Sequence, residues 1–262
     1  MMRAKKSLGQ NFLKSPAVVR KMVEVSEIVS TDTVLEIGPG KGVLTQVLLD
    51  TGAKVIGVEK DTELIPILQD KFAKQLDDGQ LILLNQDIAD FTEQPVDGLT
   101  LSEYKIVANI PYYITGEIIR MFLESDHQPK SMTLLVQKEV AQRIVAHDGK
   151  ESILSMSVKV YGKPRYVQKV PAMLFSPAPK VDSAILHIGN VSKEFFIEYG
   201  ISEEQFFKAV KHGFSQKRKM LTNNLSISPD VLQKLSIDAK ARAETLTLEQ
   251  WGALSRVLTD MV

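Results

Sequence analysis

Two hydrophobic patterns alternate along this chain. Short apolar runs read as buried strands: Val34-Leu35-Glu36-Ile37, Val55-Ile56-Gly57-Val58, Leu81-Ile82-Leu83-Leu84, Tyr104-Lys105-Ile106-Val107-Ala108 and Met132-Thr133-Leu134-Leu135-Val136. Between them apolar residues recur three and four apart, the spacing of an amphipathic helix. Val18, Met22, Val25 and Val29 are the first such set, behind Ser15-Pro16 as N-cap and first helical residue. A second helix begins at Val43 and is closed by Gly52, where a glycine past the helix end is expected. Others are expected from about Thr62 to Ala73, over Glu117–Glu124 with Thr115 as cap, over Lys138–Ala146 and over Ile153–Tyr161. Pro66 lies inside the 62–73 pattern and leaves its start open, since proline fits only the first turn.

Tyr166–Val170 and Ser183–Ile188 read as late strands, an antiparallel pair at a sheet edge. Strands that alternate with helices imply a mainly parallel sheet covered on both faces. After Gly189-Asn190 no further strand is expected, and Ser202-Glu203-Glu204-Gln205 and Thr247-Leu248-Glu249-Gln250 both match the capping box that starts a helix. The expected fold is an α/β domain over residues 1–190 followed by a small all-α domain over 191–262.

The first strand runs into Gly38-Pro39-Gly40-Lys41-Gly42, with glycine at every second position, and a helix starts at once. Such a turn lets backbone approach a ligand, because a Cβ there would collide with it. A plain strand-to-helix turn is the simpler reading. The next strand, however, ends in Glu59, about twenty residues on, where an acidic side chain grips a ribose hydroxyl pair. A nucleoside-containing cofactor is therefore expected. In an open parallel sheet ligands lie beyond the carboxyl ends of the strands, and Glu36–Gly42, Glu59, Asp87 and Asn109–Tyr112 all fall there.

Asn109-Ile110-Pro111-Tyr112 carries the most chemistry. Proline after a strand end frees the carbonyls before it from regular pairing. The Asn109 amide oxygen and the Ile110 carbonyl are two acceptors that would hold a doubly donating amino group. Tyr112 adds a face on which a base could stack. Taken alone, a proline-ended strand with a buried tyrosine explains the tetrapeptide as well.

Composition narrows the classes. With 262 residues, 44% of them hydrophobic, the chain can bury one or two cores. It has no cysteine, so disulfides, thiolate metal sites and a cysteine nucleophile are excluded. Its four histidines, His127, His147, His187 and His212, lack ligand spacing, and no metal is expected. No apolar run approaches the roughly 20 residues of a membrane span. Nothing like a signal peptide follows the basic start, so a cytoplasmic protein is expected.

Net charge is zero, which alone argues against a nucleic-acid binder, but the charges are segregated. Residues 1–23 carry Arg3, Lys5, Lys6, Lys14, Arg20 and Lys21 and no acid; residues 152–181 carry Lys159, Lys163, Arg165, Lys169 and Lys180 and no acid. Residues 205–229 carry Lys208, Lys211, Lys217, Arg218 and Lys219 and no acid, whereas 59–103 hold eleven acids against three lysines. Charge runs are commonly solvated surface; three acid-free basic blocks favour a phosphate-rich partner.

Glu36-Ile37-Gly38-Pro39-Gly40-Lys41-Gly42 with Glu59 resembles the S-adenosylmethionine site of class I methyltransferases, whose fold is Rossmann-like. Asn109-Ile110-Pro111-Tyr112 resembles the catalytic motif of adenine-N6 methyltransferases. With Gln10-Asn11-Phe12-Leu13, Phe175-Ser176-Pro177-Ala178-Pro179-Lys180-Val181-Asp182-Ser183 and Phe214-Ser215-Gln216-Lys217-Arg218-Lys219, the chain is similar over nearly its whole length to the ribosomal RNA adenine dimethyltransferases, and most to those of the small subunit (16S). Ile110 stands where that family most often has leucine; only its backbone carbonyl is used.

The resemblance implies S-adenosyl-L-methionine as cofactor and dimethylation at N6 of two adjacent adenines in 16S rRNA of a small-subunit precursor, by a monomer. It implies that Asn11 and Leu13 contact the cofactor, that Gly38 and Gly40 line it, and that Glu59 takes its ribose and Asp87 its adenine amino group. Asn109 would sit between cofactor and target, and Phe175 would stack on the flipped adenine opposite Tyr112. Rival readings are the related 23S rRNA adenine-N6 methyltransferase, an RNA-binding assembly factor on the same fold, and a nicotinamide-dependent oxidoreductase. The spacing Gly38-x-Gly40-x-Gly42 is not the Gly-x-Gly-x-x-Gly of the last.

Overall fold

The computed structural model of the protein describes residues 5, 8–91 and 103–260. Arg3, Lys6, Glu93 and Asp97 of the charge blocks lie outside the described residues. The strands are β1 (Phe12–Leu13), β2 (Thr33–Ile37), β3 (Lys54–Glu59), β4 (Leu81–Asn85), β5 (Tyr104–Asn109), β6 (Ser131–Gln137), β7 (Lys163–Val170), β8 (Phe175–Ser176) and β9 (Ser183–Gly189). The helices are α1 (Pro16–Val25), α2 (Val43–Leu49), α3 (Ile65–Lys71), α4 (Ala73–Asp77), α5 (Thr115–Glu124), α6 (Lys138–Val145), α7 (Ile153–Lys159), α8 (Glu194–Tyr199), α9 (Glu203–Gly213), α10 (Leu221–Leu225), α11 (Pro229–Lys234) and α12 (Leu248–Asp260). No helix among the described residues is long and apolar enough to cross a membrane.

Seven strands form one sheet in the order β4-β3-β2-β5-β6-β9-β7. The first five are mutually parallel and β9 is antiparallel to β6. Consecutive residues of the central strands, Val34 and Leu35, Val55 and Ile56, Ile106 and Val107, Leu134 and Leu135, are all fully buried. Both faces of the sheet are thus covered, which is why these strands read as unbroken apolar runs. From β2 the chain steps to β3 on one side and later returns to β5 on the other. That reversal is the crevice where open α/β sheets take ligands. The late strands are neighbours, as expected, and β7 is the edge. Its Lys163, Arg165 and Lys169 are exposed, charges that discourage pairing with another chain.

Three helix boundaries differ from the sequence expectation, each for a local reason. The 62–73 pattern resolves into α3 and α4, broken at Phe72. Residues 61–64 form a turn closed by the Leu64 N–H on the Asp61 carbonyl, so α3 starts at Ile65 and Pro66 falls in its first turn. Thr115 is the first residue of α5, not its cap: a tight turn over Tyr112–Ile114 leads in, and the buried Thr115 hydroxyl has no hydrogen-bond partner. Ser15 does precede Pro16 in an extended conformation, but its side chain makes no capping bond.

The chain divides into two compact units, residues 1–141 with 165–191, and residues 142–164 with 192–262. The second therefore takes in α7 as well as the chain after β9, so a single cut at residue 190 does not describe the division. Within that unit both expected capping boxes are present. Ser202 Oγ accepts from the Gln205 N–H and Gln205 Oε1 from the Ser202 N–H, and Thr247 and Gln250 do the same. Its core is aromatic: Phe206 packs edge-on against Phe195, Phe196 and Phe207, and Trp251 stacks on Phe214.

Candidate active site

The first unit gathers its polar residues at the carboxyl ends of β2, β3 and β5, around a cavity of about 680 Å³. The glycine turn forms one wall. Its three glycines have φ of +68°, +60° and +69°. The Gly38 N–H donates to the Val58 carbonyl at 2.9 Å, extending the β2–β3 pairing into the turn. A Cβ on Gly38 would meet nothing within 4 Å, so the backbone there faces open space. At Gly42 it would fall 2.5 Å from the Phe72 ring. Gly42 is therefore needed for packing and Gly38 for access.

Glu59, at the end of β3, is 5% exposed. One carboxylate oxygen accepts from the Gly40 N–H at 2.9 Å and the other from the Asp61 N–H at 2.8 Å. Burial pushes its carboxyl up, against the pull of those two donors. Asp61 in turn accepts from Lys5 Nζ at 2.7 Å and Gln10 Nε2 at 2.8 Å. The N-terminal segment is thereby tied to the carboxyl end of β3. The Lys60 ammonium bonds Asp87 and holds its carboxyl below the ordinary range. The other Asp87 oxygen accepts from the Ala89 N–H at 3.2 Å.

Asn109 closes β5, and its Nδ2 donates to the Asn11 carbonyl at 3.1 Å, which sets the direction of the amide. Pro111 ends the strand and Tyr112 starts the turn into α5, its hydroxyl 2.5 Å from Ser183 Oγ. Asn11, Leu13, Gly38, Gly40, Glu59, Asp87 and Asn109 all line the one cavity, with Ile110, Pro111 and Tyr112.

Phe175 is buried in the core of the first unit, 2% exposed, and is not among the residues that line this cavity. β8 pairs antiparallel with β1, Leu13 opposite Phe175 and Phe12 opposite Ser176. Phe175 faces inward and Ser176 faces the cavity.

Sequence reasoning gave no individual role to two further carboxylates, Asp61 and Glu36, although it placed Glu36 within the glycine-turn motif. Asp61, two residues past Glu59, is the hub just described. Glu36 sits inside β2, 1% exposed, on the cavity wall, and its Oε2 has no hydrogen-bond partner. Burial pushes its carboxyl up to about 8, opposed in part by Thr45 and reinforced by the Glu59 carboxylate. The one signal was an acid interrupting an apolar run. Among the described residues no group of three or more His, Asp or Glu could hold a metal ion.

The site fits a nucleoside cofactor with a cationic amino-acid end. The open face of Gly38, the buried Glu59 and the unpartnered Glu36 oxygen lie in one cavity. Comparison with known proteins agrees. The family model for ribosomal RNA adenine dimethylase matches residues 1–260. The protein named ribosomal RNA small subunit methyltransferase A of Dehalococcoides mccartyi (strain ATCC BAA-2100) is 43% identical over 261 residues, covering 97% of this chain and 88% of that one. The protein of the same name from Clostridioides difficile (strain 630) is 38% identical over 272 residues, covering 98% and 91%. Among solved structures, a dimethyladenosine transferase from Plasmodium falciparum matches with a TM-score of 0.76 and 27% identity, covering 93% of this chain and 95% of that one. The 23S rRNA methyltransferase ErmE gives the same TM-score at 25% identity, covering 95% and 100%. The motifs, the fold and the match along the chain have one conclusion: the protein belongs to the ribosomal RNA adenine dimethylase family.

Proposed function

We propose that the protein uses S-adenosyl-L-methionine to dimethylate N6 of two adjacent adenines in 16S rRNA of the small ribosomal subunit. The observation that carries this reading is Asn109: its amide is oriented by Asn11 on the wall that also holds Gly38, Glu59 and Asp87. A group set for the target amine and groups set for a nucleoside cofactor thus share one cavity. The relatives named for the small subunit favour 16S over 23S rRNA.

When bound, the cofactor supplies a methyl group on a sulfonium, which carries its own leaving group. Glu59 takes the ribose hydroxyls, Asp87 the adenine amino group, and Asn11, Leu13, Gly38 and Gly40 the remaining surface. The target N6 lone pair is delocalised into its ring and is a poor nucleophile. The Asn109 amide oxygen and the Ile110 carbonyl accept its two hydrogens and favour a pyramidal nitrogen, which concentrates the lone pair toward the methyl group. That stabilisation is expressed mainly in the transition state, and in-line placement adds to it. Pro111 fixes the chain direction and Tyr112 offers a face to the flipped base. A base–aromatic stack is worth about 1–3 kcal/mol, which offsets part of the cost of turning the base out.

In the second unit, the Lys217, Arg218 and Lys219 turn is exposed between α9 and α10, and Asn224 Nδ2 braces it through the Gly213 and Gln216 carbonyls. Residues 191–262 contact RNA phosphates through this turn. We infer a monomer that acts in the cytoplasm, where the RNA of a ribosomal subunit precursor would be met. The test is mass mapping of adenines in small-subunit RNA after reaction with labelled cofactor. Two adjacent dimethyladenines are expected from the native protein and none from Asn109→Ala, with cofactor affinity within a few-fold. Label at a single large-subunit adenine would refute the substrate, and native rates in Asn109→Ala would remove it from the chemistry.

A further inference from the structure

The fully buried Ser183 hydroxyl lies 2.5 Å from that of Tyr112. Ser183 opens β9 opposite Gln137 at the carboxyl end of β6. Asn109 closes β5 opposite Leu135, which is itself opposite Ile185 on β9. Ser183 and Asn109 therefore stand at the same end of the sheet, at the carboxyl ends of β5 and β6 and two strands apart, and Tyr112 follows three residues after Asn109. The serine is held on its N-terminal side. The Asp182 carbonyl accepts from the Lys138 N–H at 3.0 Å, and the Asp182 carboxylate accepts from the Ala172 N–H at 3.0 Å and Lys169 Nζ at 2.8 Å. A tyrosine hydroxyl lies on the axis of the ring's second torsion, so a bond there restrains the first torsion and fixes where the ring axis points. Burial also pushes the Tyr112 phenol up, so at neutral pH the contact joins two hydroxyls.

We propose that Ser183 is a positioning residue for methyl transfer: its hydroxyl anchors the far end of the Tyr112 ring beside Asn109, fixing where the ring stands before the target base arrives. The proposal rests on the reading of Tyr112 as the base platform. It gives the late motif a part in the reaction although Phe175 is buried. It also gives a reason for tyrosine at position 112, since phenylalanine has an equal face but nothing by which to be held.

Four variants of the full chain test it: Tyr112→Phe, Ser183→Ala, the two combined, and Tyr112→Ala. kcat and KM for RNA are measured separately, with cofactor stoichiometry from calorimetry to count folded sites. Tyr112→Phe and Ser183→Ala should each lower kcat about tenfold per folded site, with KM for RNA within about twofold, and the double variant should be no worse than the worse single, because both break the same hydrogen bond. Multiplying losses in the double variant, or native kcat in Ser183→Ala, would overturn the proposal. Tyr112→Ala separates this from the reading beneath it. Native transfer in that variant removes Tyr112 from base binding altogether. Loss there, with native rates in Tyr112→Phe and Ser183→Ala, keeps the platform and removes the positioning.

Discussion

Replacing Glu36 by glutamine should make the protein more stable at neutral and alkaline pH. The carboxyl lies within β2, and Lys71, whose charge pulls it down only in part, makes no bond to it. Lys71 Nζ donates instead to the Lys41 and Gly42 carbonyls at 3.2 and 2.8 Å. The unfolded chain releases the Glu36 proton near 4.5, and the native protein holds it to about 8. Over that window the native state binds the extra proton, so stability falls as pH rises and the loss is complete above about 8. At 1.36 kcal/mol per pH unit, the gap corresponds to about 5 kcal/mol, a large share of a domain's stability. Glutamine has nearly the same shape and no proton to lose. Urea unfolding at pH 5 and pH 9 measures the difference. Far-UV circular dichroism should follow it, because Trp251, the one tryptophan, lies in the other unit. Between those pH values the native protein should lose about 4 kcal/mol more than Glu36→Gln. Carboxyls remote from position 36 titrate equally in both proteins and cancel; Glu59, whose charge the Glu36 carboxylate opposes, is the exception. Parallel pH profiles would show that Glu36 is solvated or paired in the native state and would refute the reasoning.

Gly42→Ala should cost about 2 kcal/mol or more, from the positive φ and from a Cβ 2.5 Å from Phe72; equilibrium unfolding at pH 6 checks it, and a neutral substitution would mean the turn is looser than it looks. Phe175→Leu should keep methyl transfer near the native rate, whereas Phe175→Ala should lose about 3–5 kcal/mol of stability through the cavity it leaves. Loss of transfer in the leucine variant at native stability would restore a stacking role for that ring. Reversing Lys217, Arg218 and Lys219 to glutamate should weaken RNA binding and lower the slope of log affinity against log salt by about 2, at roughly 0.7 for each phosphate no longer neutralised. An unchanged slope would mean that the turn is merely solvated.

How far the sequence reached follows from what each kind of residue has to satisfy. β2, β3, β5 and β6 could be read because a strand buried on both faces has no polar side to hide, so its apolar run is continuous, and Gly38 and Glu59 could be placed because a glycine turn and an acid at successive strand ends fall together at the carboxyl edge. Thr115 and the break at Phe72 could not, since both depend on the turn that feeds the helix and not on the residue alone. Neither could the assignment of residues 142–164 to the second unit, because α7 carries an ordinary amphipathic pattern that does not say which core it serves. Phe175 shows what a motif leaves open. A motif states which residues travel together, whereas the fold decides which of them line the cavity: Ser176 does, and Phe175 packs into the core beside it. Glu36 shows the converse. Its letter sits in the expected place for a core residue, and only its burial, its unpartnered oxygen and its place on the cavity wall reveal that it is held in the fold at a cost. Above about pH 8 that carboxyl costs the fold about 5 kcal/mol, and a ligand whose cationic end enters the cavity would lower that cost by pairing with it.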